Sequence, residues 1–154
     1  MESPAEYLPH EAPMVLLDSV DYFDEDESKI ATSVRICEGN LFFDRSIGGV
    51  SNLLALEYMA QAIGCFAGLS GRAKDPNFKQ ELGFVLGTRK MRLLVDKFEN
   101  NKTYKVKAEK LFFDEEMASF DCSIFDEADA LCANAILTVY RPKNIEKLEF
   151  LKDG

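Results

Sequence analysis

The run LLALEYMAQAIGCFAGL, from Leu53 to Leu69, has only two strongly polar side chains, Glu57 and Gln61. Apolar residues on every side specify a helix with protein around it, and a spacing of four sets Gln61 one turn beyond Glu57 on a shared stripe. Gly64 and Gly68 continue that side, where missing side chains let a thin chain or a neighbouring backbone come close. A carboxylate in such surroundings needs a reason. Without a partner its charged form is disfavoured by desolvation, so its pKa is expected to rise toward the range useful for proton transfer. The competing reading is a carboxylate held by backbone donors or a cation, fixing the helix and nothing more.

Ser51 and Asn52 are good N-caps for this helix, and Gly68, Gly71 and Pro76 signal its end before a polar loop at 73–81. The flanking sequence reads as strands. Met14 to Phe23 and Ile30 to Ile36 surround a tight connection at the acidic cluster 24–27, and a loop at 37–50 leads into the helix. After the helix, Leu82 to Phe98 is a long strand run with Gly83 and Gly87 as bends, ended by a turn at Asn100 and Asn101. Tyr104, Val106 and Ala108 alternate with Lys105, Lys107 and Glu109, and Phe120, Cys122 and Ile124 alternate with polar neighbours, the period of half-wet strands. Leu131 to Tyr140 closes the set, and the charged tail 143–154 is expected to be loosely held. Two strands, one long helix and four strands give an α+β domain spanning 1–154, with an antiparallel sheet wrapped around the helix. A sheet covers one side, so the other needs a partner, and a homodimer or heterodimer is expected.

The net charge of −9 argues against nucleic acid, which needs a clustered positive field. The stretch 89–110 nonetheless holds Arg89, Lys90, Arg92, Lys97, Lys102, Lys105, Lys107 and Lys110. That pattern suits a solvated strand face guarding a sheet edge as well as it suits a docking patch for an acidic partner. Cys37, Cys65, Cys122 and Cys132 form no CxxC pair and read as reduced core residues of a cytoplasmic protein. No secretory signal is evident at the N-terminus, and the apolar run falls short of the roughly 20 residues a membrane span needs. No P-loop, GxSxG or HExxH is present, and a single histidine, His10, makes a metal site improbable.

Leu8-Pro9-His10-Glu11-Ala12-Pro13-Met14-Val15-Leu16-Leu17-Asp18 resembles the LPHRxPxLLxDRV opening of the hotdog-fold 3-hydroxyacyl-[acyl-carrier-protein] dehydratases. Leu56-Glu57-Tyr58-Met59-Ala60-Gln61-Ala62 resembles their central helix motif LExMAQA, and the two occur in the right order. Gly83-Phe84-Val85-Leu86-Gly87-Thr88-Arg89 brings the chain nearest to a divergent branch, the predicted dehydratases of aryl polyene biosynthesis. The likeness covers residues 8 to about 142. One departure stands out: where the ordinary members carry a catalytic histidine, about fourteen residues before the helix glutamate, this chain has Phe43.

The resemblance implies a hotdog fold and a lyase that dehydrates a 3-hydroxyacyl thioester in fatty acid or aryl polyene biosynthesis. The substrate is carried on the phosphopantetheine of an acyl carrier protein, and no cofactor or metal is needed. His10 is then the candidate base and Glu57 the acid or its orienting partner, with Gln61 lining the site. Gly48, Gly49 and Val50 are placed to offer backbone N–H groups to a thioester oxygen, and Arg89, Lys90 and Arg92 to grip a pantetheine phosphate or an acidic carrier protein. Asp18 is expected only to cap or pair locally. Two alternatives remain: a non-catalytic or half-catalytic partner subunit, motivated by the missing histidine, and a hotdog acyl thioesterase.

Overall fold

The computed structural model describes residues 3–7, 15–77, 84–114 and 116–140. His10, Gly83 and the tail 143–154, each singled out above, lie outside the described residues. One antiparallel sheet runs β1 (Ser19–Asp24), β2 (Lys29–Arg35), β7 (Thr103–Phe113), β8 (Met117–Phe125), β9 (Leu131–Tyr140) and β5 (Phe84–Leu93) in that spatial order, and it packs against α1 (Ala55–Lys74). A second, three-stranded sheet orders β3 (Phe43–Asp44), β4 (Gly49–Ser51) and β6 (Lys97–Glu99). The expected wrap of a sheet around one helix is thus observed.

Alternation sets the two faces of the large sheet. Ile30, Thr32 and Val34 of β2 pair with Ala108, Val106 and Tyr104 of β7 and turn inward, as do Phe120, Cys122 and Ile124 of β8. Two aromatic groups tie the helix to this floor. Near the N-terminal end of α1, Tyr58 meets the Phe98 ring at 5.5 Å, and Phe98 meets Tyr104 at 5.0 Å. Farther along, Phe66 stands between Phe23 at 5.4 Å and Phe120 at 5.6 Å, offset or edge-on as aromatic quadrupoles prefer. Burial raises the pKa of the Tyr58 hydroxyl, with the nearby Asp18 charge adding to it.

Several expected boundaries shift for local reasons. The first strand begins at Ser19 rather than Met14, because residues 15–18 run without a ladder. Helix formation begins with a 3₁₀ turn, Asn52–Leu54, whose Leu53 amide donates to the Ser51 hydroxyl at 3.2 Å. The helix then runs to Lys74, past both glycines expected to end it, and stops at Asp75 before Pro76. Gly68 is no terminator: a Cβ there would stand 2.6 Å from the Tyr7 carbonyl oxygen, so the residue lets residues 3–7 lie directly on the helix. The single run Leu82 to Phe98 is two strands in different sheets, β5 and β6, broken at 94–96. The Gly87 bend is real, since the β5–β9 register shifts between Val85 and Gly87. The loop 37–50 carries two short strands that alternation could not reveal over two or three residues.

All four cysteines are free thiols. Cys65, Cys122 and Cys132 are buried, and burial pushes the Cys65 thiol up to about 12. The turn and helix Asn52–Lys74 is long and apolar enough to cross a membrane by length and composition, and half of its apolar window is buried inside the protein.

Candidate active site

Glu57 sits in the first turn of α1 and is half-buried rather than sealed. The buried side chains of the helix are Ala55, Tyr58, Met59, Gln61, Ala62, Ile63, Cys65 and Phe66. Leu53 is 76% exposed, and Leu56, Glu57, Ala60, Gly64 and Ala67 follow it as a partly open stripe at helical spacing. Within this chain one flank of the helix stays partly open, the side for which the sequence called for a partner.

Gln61 is fully buried and links two parts of the chain. Its Oε1 accepts from the Leu16 backbone N–H at 2.8 Å, and its Nε2 donates to Glu57 Oε1 at 3.1 Å. The backbone amide can only donate, so it fixes which end of the Gln61 amide is oxygen, and the NH₂ must face the carboxylate. Glu57 Oε1 is then an acceptor in this contact. Gln61 is thus a buried amide with both ends engaged, one by the Leu16 backbone and one by the Glu57 carboxylate.

The same helix holds the chain on both sides of residues 8–14. Tyr7 rests on Gly68, its ring lies 4.9 Å under the Arg72 guanidinium, and Arg72 also donates to the Glu6 carbonyl. Leu16 is tied to Gln61, seven residues earlier, which is about 10 Å of helix axis. His10 itself lies outside the described residues. Asp18 pairs beyond the opening motif: its Oδ2 accepts the Arg35 amide at 2.6 Å and its own amide donates to the Ser33 carbonyl at 2.8 Å, both on β2.

The glycine loop is a correction. The Gly48 amide donates to the Asp44 carbonyl at 3.0 Å, and Gly49 and Val50 lie in the middle strand of the small sheet, paired with β3 on one side and β6 on the other. A Cβ on Gly49 would fall 2.1 Å from the Phe98 carbonyl oxygen, so close strand approach explains the glycine. These amides are engaged within the sheet rather than aimed at a substrate. Phe43, where the ordinary histidine would be, pairs with Val50 in β3.

Arg89, Lys90 and Arg92 are exposed on β5, an edge strand. Arg89 lies opposite Ile136 and Arg92 opposite Asn134, on the outer face, whereas their neighbours Thr88 and Leu93 pair with the inward residues Leu137 and Ala133. The two arginines therefore point away from the face that carries Glu57. A shallow, open depression also lies on the outer face, between Lys29, Lys105, Lys107 and Phe125, and Glu57 does not line it. The close approach of a neighbouring backbone expected at Gly68 is observed, and the backbone is that of Tyr7; what sequence reading missed is the part of Arg72, which holds the Tyr7 ring and the Glu6 carbonyl.

Residues 2–151 match the model of the ApeP-like family, described as ApeP dehydratase. Among solved structures, the dehydratase heterocomplex ApeI:P from Xenorhabdus doucetiae superposes with a TM-score of 0.86 at 29% identity, covering 98% of each chain. Two more distant structures share the hotdog fold. The smu.793 protein from Streptococcus mutans UA159, bound to acetyl CoA, has a TM-score of 0.64 at 10% identity over 87% of this chain and 94% of that one. The PaaI protein of E. coli, from the phenylacetic acid degradation operon, has a TM-score of 0.60 at 10% identity over 80% and 82%. No curated protein matches the sequence.

Proposed function

The chain belongs to the ApeP-like dehydratase family, and from that premise we propose that it removes water from a 3-hydroxyacyl thioester as one subunit of a two-chain hotdog dehydratase. The substrate is carried on the phosphopantetheine of an acyl carrier protein, the product is the trans-2-enoyl thioester, and the setting is aryl polyene or fatty acid biosynthesis in the cytoplasm. The chain needs no cofactor of its own.

One observation carries this reading: buried Gln61 joins the Glu57 carboxylate, on the partly open flank of the helix, to Leu16, close to the segment 8–14 that holds His10. The elimination needs a base for the C2 proton, an acid for the departing C3 hydroxyl and donors for the oxygen that becomes enolate-like. His10 takes the C2 proton, the electron pair forms the C2–C3 double bond, and the C3–O bond breaks as Glu57 delivers a proton to the departing hydroxyl, giving water. The enolate donors come from outside the 48–50 loop, whose amides are engaged, and the open flank of α1 leaves room for a second subunit to supply them.

A second reading has the partner carry the whole catalytic pair, with this chain completing the fold. The absence of a histidine in the Phe43 segment favours it, as does a relative at 29% identity that is part of a heterocomplex. Mass spectrometry of a 3-hydroxyacyl carrier protein separates the two. The dehydratase reading expects loss of one water with the wild type or its two-chain complex, abolished by His10→Ala and by Glu57→Gln. Dehydration by the complex that survives both substitutions assigns the chemistry to the partner. Release of free thiol without enoyl product would mean thioester hydrolysis instead.

A further inference from the structure

We propose that Arg72 is a positioning residue for the elimination: by clamping Tyr7 and the Glu6 carbonyl onto α1, it sets how far along the helix His10 can reach. The inference rests on the reading of His10 as the base, and it adds a side chain about four turns beyond the acid. Residues 3–7 contribute no strand to either sheet, yet they are seated like core. Pro4 is buried, Tyr7 is 6% exposed, and the 3₁₀ turn Pro4–Glu6 is closed by the Tyr7 amide on the Pro4 carbonyl at 3.0 Å. Gly68 makes the seat. A Cβ there would stand 2.6 Å from the Tyr7 carbonyl oxygen and 2.8 Å from its Cβ. Arg72, four residues on and itself exposed, closes the seat from the solvent side, with its guanidinium 4.9 Å from the Tyr7 ring centroid and a hydrogen bond to the Glu6 backbone carbonyl. A bond to a carbonyl fixes the path of the chain. Stacking a planar fork on a ring while donating to a second acceptor is a task that suits arginine, and lysine copies it only in part.

Reach connects this seat to the chemistry. Gly68 lies eleven residues beyond Glu57, about 16 Å of helix axis, whereas His10 is three residues from Tyr7, a reach of at most about 10 Å. The imidazole and carboxylate side chains must span the remainder, so this side has little slack. The other side has plenty. Leu16 is tied at Gln61, four residues from Glu57, and the six residues back to His10 reach about 20 Å. The Tyr7 seat is therefore the tether that limits the base, and a slip of that seat by one helical turn, about 5.4 Å, takes His10 out of range. The tether is also stiff by sequence. A proline at position 9 fixes its own φ and disfavours helical backbone at the residue before it, so a displacement at Tyr7 passes on to His10 instead of being absorbed.

The test reads His10 directly, because it is the one histidine of the chain and gives a single imidazole signal. That signal is titrated by nuclear magnetic resonance in the wild type, Glu57→Gln, Arg72→Met and the double variant, with only this chain labelled where a partner is present. A nearby carboxylate favours the charged imidazolium, so Glu57→Gln is expected to lower the His10 midpoint. Arg72→Met is expected to lower it too, and the double variant to add nothing, since both changes remove one contact. Turnover of a 3-hydroxyacyl carrier protein by Arg72→Met, in the two-chain complex where the wild type needs one, is expected to show kcat down about 10- to 100-fold with KM within about twofold. Arg72→Lys should recover part of that loss. If Arg72→Met leaves the midpoint and kcat at wild-type values while Glu57→Gln still lowers the midpoint, the proposal is overturned, and a drop in melting temperature with both readouts unmoved overturns it equally, leaving Arg72 a structural role. A midpoint indifferent to Glu57→Gln, together with full turnover by His10→Ala, defeats the base assignment itself and this inference with it.

Discussion

The two flanks of α1 divide the labour of this molecule. On the sheet side Phe66 is 3% exposed between two other rings, and Met59, Ala62 and Cys65 are fully enclosed. On the other flank Leu53, Glu57, Ala60 and Gly64 remain partly or largely open. Both flanks are apolar in sequence, so hydrophobicity does not separate them. Who covers them does: the closed flank is satisfied by the chain's own strands and holds its stability, and the open flank carries the one carboxylate and awaits something from outside.

The sharpest way to break this division is Glu57→Gln. The amide keeps an oxygen for the Gln61 NH₂, so stability should stay within about 0.5 kcal/mol, as for an exposed-side substitution. Turnover of a 3-hydroxyacyl carrier protein should fall by about 10²–10⁴, the usual worth of a positioned proton donor. A large loss of melting temperature with retained turnover would place Glu57 on the structural side. Phe66→Ala is the converse probe. It empties a site between Phe23 and Phe120 and should cost about 3–5 kcal/mol in denaturant unfolding.

Gln61→Leu tests the bridge between the flanks. The volume is nearly kept, but the Leu16 N–H loses its acceptor, a penalty of about 1–3 kcal/mol, and Glu57 loses its orienting donor, so turnover should fall as well. Gly68→Ala probes the other anchor. Its Cβ would press on Tyr7, while alanine is a better helix former by about 1 kcal/mol. The melting temperature should therefore move little, and proteolysis within residues 1–16 should become faster as the Tyr7 contact opens.

Much of this was legible in the sequence, because the strongest signals were long. The seventeen-residue apolar run, the alternating strands after residue 103 and the shared spacing of Glu57 and Gln61 each repeat a pattern several times over. Short or context-set features were not legible. β3 and β4 hold two and three residues, too few for a period. Gly49 looked like a turn ahead of a helix, whereas its missing Cβ serves the close approach of β6, a neighbour some fifty residues away in sequence. Gly68 carried a stop signal that tertiary contact with Tyr7 overrode. The flank of the helix that stays open could not be read either, since its residues are as apolar as those that are covered.

The smallest expected effect concerns pH and belongs to the closed flank. Cys65 is enclosed by its neighbours, and burial raises its thiol to about 12 from an ordinary value of 9.0. Between those two values the unfolded chain releases this proton and the folded chain keeps it, so the folded state binds more protons and stability declines as pH rises. Below about 9 the contribution is fully present, and it is lost progressively toward 12. The buried Cys122 is also shifted upward by desolvation and adds to the same slope. Denaturant midpoints measured at intervals above pH 9 should therefore fall, and Cys65→Ala should flatten that fall while lowering stability slightly at neutral pH through its small cavity. An unchanged alkaline slope in the variant would mean that water reaches this thiol, and that the sheet side of the helix is less closed than its packing indicates.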